Sequence, residues 1–74
     1  MKEIKIKTDY IKLGQFMKLT RITGTGGEVK SFLDNNEVLV NDLKENRRGR
    51  KLKDGDIVFV NGQHYKIVRD GEVL

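Results

Sequence analysis

Residues 11–36, IKLGQFMKLTRITGTGGEVKSFLDNN, decide the fold. Leu13, Phe16, Met17 and Thr20 fall at i, i+3, i+4 and i+7, which places them on one face of a helix. Lys12, Gln15 and Lys18 point away from that face. The helix begins either early, capped by Thr8 or Asp9, or nearer Leu13, and Gly14 inside it costs about 1 kcal/mol relative to Ala. Gly24 is its expected terminator. Thr25-Gly26-Gly27-Glu28 then has the form of a capping box, with Thr25 as N-cap and Glu28 three residues on. Val29, Phe32 and Leu33 line one side of this second helix, and Asn35 and Asn36 end it by tolerating a left-handed backbone. Two helices this short do not stand alone and need a sheet to cover. Phe16 and Phe32 are both expected at the helix–sheet interface.

The flanking segments supply that sheet. Glu3 to Lys7 alternates apolar and charged residues, as a strand with one wet face does. Val38-Leu39-Val40 reads as a strand entering a turn at Asn41-Asp42. Ile57 to Val60 and His64 to Val68 flank Asn61-Gly62, a strong hairpin signal because both residues accept positive φ. Lys53-Asp54-Gly55-Asp56 is a turn leading into that hairpin. Between Leu43 and Leu52 the periodicity fails, so Arg47 to Lys51 is placed on a loop or irregular strand that projects from the domain, with Gly49 loosening its backbone. The order strand, two helices, three or four strands describes one small α+β domain over residues 1–74.

Charge is gathered in one place. The chain carries fifteen Lys and Arg against eleven Asp and Glu. Residues 44–53, KENRRGRKLK, hold six basic residues and one acid, and the remaining 64 hold nine against ten. A localised excess of this kind is the electrostatic footprint of a site for polyanions. The 74 residues include no Cys, which removes disulfides and thiol chemistry and fits a reducing compartment. No apolar run approaches the length of a membrane span, and the start of the chain has no signal-peptide core. The reading is a folded cytoplasmic protein with no membrane association.

The main candidate site is therefore Lys44, Arg47, Arg48, Arg50, Lys51 and Lys53. Arginine offers a rigid fork of donors to phosphate oxygens, and lysine adds a mobile charge. The bland alternative is a solvated surface run. Lys12, Gln15, Lys18, Arg21 and Lys30 form a second set, which extends the basic surface if the helices pack side by side. Gly26 and Gly27 open the second helix, where free N–H groups can take one backbone phosphate; the spacing fits neither a nucleotide-binding P-loop nor a dinucleotide fingerprint. His64 reads as a surface or half-buried strand residue, and Phe59 and Tyr65 as core rather than as base-stacking platforms. No nucleophile, paired carboxylates or metal-ligand cluster accompanies His64. The chain is read as no enzyme, with no cofactor, no metal and no small-molecule substrate.

Taken together, Ile11 to Leu19, Glu28-Val29-Lys30, Glu37-Val38-Leu39-Val40-Asn41, and Arg47 to Leu52 with Gly55-Asp56 resemble the S4 RNA-binding domain. That module occurs in a ribosomal protein, pseudouridine synthases, tyrosyl-tRNA synthetases and a heat-shock ribosome-binding protein. The likeness covers residues 3–68 and is closest to the small stand-alone S4-like proteins of the YaaA/YbcJ type. It implies the αL-type fold, two short helices on a small, mostly antiparallel sheet. It also implies binding of structured RNA, ribosomal RNA or tRNA, by a ribosome-associated or ribosome-assembly protein. The chain departs from the pattern in three places. Thr25-Gly26 stands where the family has Ser-Arg, Gly14 where it has an acid, and Asp42 where it has Gly. The missing arginine implies weaker phosphate contact at the helix junction, or transfer of that duty to Arg47–Lys51. The charge pattern alone also admits a DNA-binding, nucleoid-associated module, or a protein-interaction domain docking an acidic partner.

Overall fold

The computed structural model describes residues 1–70; the last four residues of the expected 1–74 domain lie outside the described residues. Nine elements follow in order: β1 Lys2–Ile6, β2 Ile11–Lys12, α1 Leu13–Leu19, α2 Gly26–Asn35, β3 Leu39–Val40, β4 Leu43–Lys44, β5 Lys51–Leu52, β6 Ile57–Val60 and β7 Gln63–Arg69. Five strands form a sheet in the order β1-β7-β6-β3-β4, and β2 and β5 form a separate two-stranded ladder. All pairings are antiparallel except β1 with β7. This is the expected α+β arrangement of two short helices on a small, mostly antiparallel sheet.

Phe16 and Met17 from α1, Val29 and Leu33 from α2, and Val58 and Ile67 from the sheet are fully or almost fully buried in one cluster. Phe16 meets Tyr65 edge to face, with ring centroids 5.3 Å apart, so Tyr65 packs against the core as expected. Phe59, also expected there, is half-buried and outside the cluster, because its strand position turns it to the other face of the sheet. Phe32 differs from expectation: it is half-buried and packs against the margin of the cluster. The second helix turns Val29 and Leu33 inward and leaves Phe32 beside them.

The helix ends are set by local hydrogen bonds. At α2, Thr25 Oγ1 accepts the Glu28 N–H, while Glu28 Oε1 accepts the N–H groups of Thr25 and Gly24. The capping box is formed as read. Termination of α1 is not. The helix stops at Leu19, ahead of Gly24, because Arg21 adopts φ 63°. Ile22 N–H then reaches Met17 O at 2.9 Å, and Arg21 N–H reaches Lys18 O at 3.1 Å. This pair of bonds closes a helix on a left-handed residue, with Ile22 as its apolar cover. Nor does Asn36 turn left-handed: it is extended, and its backbone and side-chain N–H groups both donate to Phe32 O.

Two tight turns shape the sheet. Asn61 and Gly62 both have positive φ, 52° and 75°, and join β6 to β7, as the Asn-Gly signal predicts. Asn41 and Asp42, at 52° and 69°, form the equivalent turn between β3 and β4. Asn41 is held there by its side chain, which accepts the Ile57 N–H and donates to Asp56.

Candidate nucleic-acid interface

The basic segment does not project. Its carbonyls cap the first helix: Leu13 N–H donates to Arg50 O at 2.8 Å, and Gly14 N–H to Arg48 O at 2.9 Å. The first four amides of a helix have no partner within it, and here the loop supplies an acceptor for two of them. Lys51 and Leu52 continue the attachment by pairing with Lys12 and Ile11. Those bonds make the segment a shelf docked on α1 rather than a projecting arm, and Gly49 does not use a positive φ.

Its organiser is Glu45, the single acid among the ten residues. Glu45 is buried, at 6% exposure. Its Oε2 accepts the backbone and Nε hydrogens of Arg47, both at 2.9 Å. Its Oε1 accepts Arg47 Nη2 at 3.1 Å and Arg50 Nη1 at 2.9 Å. Hydrogen bonding from the Arg47 side chain leads in lowering the Glu45 pKa to about 2, with the Arg47 backbone and Arg50 adding to it against the cost of burial. The same bond raises the pKa of Arg47.

The expected site residues fall on two sides of this shelf. On one side Arg48 reaches the joint between the helices, where it lines a groove with Lys12, Gln15, Lys18 and Gly26. Arg48 Nη1 lies 3.5 Å from Gly26 O. None of Lys12, Lys18 and Arg48 pairs with a carboxylate among the described residues. On the other side Arg47, Arg50, Lys51 and Lys53 surround a shallow depression that also includes Asp56. Lys51 sits over the Tyr10 ring, 4.9 Å from its centroid. Gly49 belongs to both sides.

Three residues stand apart. Lys30 pairs with Asp34 across one helical turn, Lys44 lies on the edge strand β4, and Arg21 is the left-handed residue that closes α1; none of them lines the groove or the depression. At the start of α2 the Gly26 and Gly27 amides are not used by the cap, but the Glu28 carboxylate sits against the two amides just before them. That negative charge weakens the attraction of the helix end for an anion.

Sequence reasoning missed Glu45, Gly14 and Tyr10. The signal for Glu45 was present, since a lone acid inside a basic run is a candidate for binding its neighbours. Gly14 lies directly against the shelf: a Cβ there would meet the Arg48 carbonyl and its Cβ at 3.5 Å, ordinary van der Waals contact. No pattern in the chain announces that contact.

Comparison with known proteins agrees with this architecture. The S4 domain profile matches residues 4–68. A probable ribosome maturation protein, RlbA of Bacillus subtilis (strain 168), is 54% identical over 59 residues, which are 80% of this chain and 83% of that protein. With a family match over most of its length and a relative this similar, the chain belongs to the S4 domain family.

Proposed function

We propose that this protein binds structured RNA, ribosomal RNA or tRNA, without catalysis, as a ribosome-associated or ribosome-assembly factor. The observation that carries the reading is the groove at the helix joint, where Lys12, Lys18 and Arg48 converge with no carboxylate paired to them. Three unneutralised cations beside Gln15 suit the phosphates of a folded polyanion, and contacts of this kind position an RNA more than they read its sequence. Arg47, Arg50, Lys51 and Lys53 widen the basic surface around the corner of the shelf. Family membership and the name of the Bacillus subtilis relative support the ribosome as the destination, and a ribosomal target places the work in the cytoplasm.

Crosslinking in cells, followed by identification of the bound molecules, tests the reading. Recovery of ribosomal or transfer RNA, lost when Lys12, Lys18 and Arg48 are replaced together, is the expected result. Recovery of DNA points instead to a nucleoid role. Recovery of an acidic protein with no nucleic acid makes the groove a protein-docking site.

A further inference from the structure

Residues paired across a sheet share one of its faces. Val40, Val58 and Tyr65 form a row on the inward face, where Tyr65 meets Phe16 of α1. The outward face has a different character. Leu39 is opposite Phe59, and Phe59 is opposite His64. In the next rows Ile57 is opposite Lys66 and Val68 opposite Lys5. Leu39, Ile57, Phe59 and Val68 are half-buried by their neighbours in the sheet, yet none belongs to the core or packs against it.

Aromatic and charged groups on this face complement one another. The rings of Phe59 and His64 lie 4.6 Å apart at their centroids, tilted by 47°, and His64 is exposed. Lys44 stands beside Leu39 at one edge, and Lys66 and Lys5 stand on the strands beyond Ile57. All three lysines are exposed, and none forms an ion pair among the described residues. Glu3, opposite Lys66, is the one acid in these rows.

We infer that this outward face binds single-stranded RNA, with bases stacking on Phe59 and His64 and phosphates held by Lys44, Lys66 and Lys5. An aromatic pair on the open face of a lysine-bearing sheet is the arrangement that holds unpaired bases without reading their sequence. A second copy of the chain is a poorer occupant, because a two-fold contact would set this lysine-bearing patch against the same patch, with Glu3 the one acid in these rows. The surface lies on the opposite side of the sheet from the helices. It therefore stands apart from the groove, and the protein can hold a folded and an unpaired segment of RNA at once.

Titration of a fluorescently labelled oligouridylate of about ten nucleotides, in parallel with a labelled RNA hairpin, tests the inference. Phe59→Leu with His64→Thr keeps side chains suited to strands and removes both rings. This variant is expected to bind the oligouridylate at least about fivefold more weakly and the hairpin unchanged. Lys44→Gln with Lys66→Gln is expected to lower the salt dependence of oligouridylate binding by up to about two phosphate equivalents. Unchanged oligouridylate affinity in both folded variants overturns the inference, as does failure of the unmodified protein to bind it. Self-association through Phe59 without oligouridylate binding also overturns it and makes a second copy the occupant. Failure of the groove reading is separate: the hairpin then does not bind, while the oligouridylate binds and responds to the ring substitutions.

Discussion

Replacing Glu45 by Gln removes the one carboxylate that Arg47 and Arg50 share, and simple electrostatics misjudges the result. Counting charges, the variant is more basic and should bind RNA better. The geometry predicts the opposite for stability: two guanidiniums lose the buried acceptor that fixes the loop. The pH dependence follows from the same group. Its folded pKa of about 2 lies below the ordinary 4.5, so its stabilisation is full above pH 4.5 and disappears as pH falls toward 2. We expect Glu45→Gln to be about 1–3 kcal/mol less stable than the unmodified protein at pH 7, with the gap closing near pH 2. Urea denaturation across that range measures it, and parallel stability curves would refute the assignment. The arginines divide accordingly. From the sequence, removal of Arg47, Arg48 and Arg50 together is expected to leave stability nearly unchanged, as exposed ion pairs contribute little. The structure corrects this, because losing both Arg47 and Arg50 strands a buried carboxylate. Arg48→Ala, by contrast, should weaken hairpin binding while the denaturation midpoint stays where it was.

At the level of the element, the features legible in the sequence are those made by side chains close together in the chain. The Thr25–Glu28 cap and the Asn61-Gly62 turn are both present because each is a local bargain between a side chain and its own backbone. Thr25→Ala should cost about 1 kcal/mol by denaturation; no measurable loss would mean that the box does not hold α2. Phe16→Ala should cost about 3–5 kcal/mol, since Phe16 is fully buried, and half-buried Phe32→Ala roughly half as much. Equal losses would contradict the placement of Phe32 at the margin of the core. What the sequence hides is backbone meeting backbone over distance. The β2–β5 ladder is two residues long on each side, too short for any period, and the bonds from Leu13 and Gly14 use loop carbonyls that every residue type possesses. For that reason a failed periodicity at Arg47–Lys51 reads as a projecting loop when it is a docked one. The candidate site was legible as a list of cations, whereas their division between two sides of the shelf depended on those same carbonyl contacts.

For the whole molecule, the helices cover one face of the sheet and the basic shelf closes the end of α1, so the chain's excess charge collects where two helices and a loop meet. That placement concentrates cations on a rigid surface and avoids the entropy cost of ordering a mobile arm on binding. We propose that the groove at this meeting point is the RNA site. A salt series of titrations with structured ribosomal RNA, comparing the unmodified protein with a Lys12→Gln, Lys18→Gln, Arg48→Ala triple variant, tests it most directly. None of these three side chains is buried or ion-paired among the described residues, so the variant should remain folded. Weaker binding to every structured RNA tried is expected, with the salt dependence reduced by up to about three phosphate equivalents. Unchanged affinity and unchanged slope in the folded variant would contradict it.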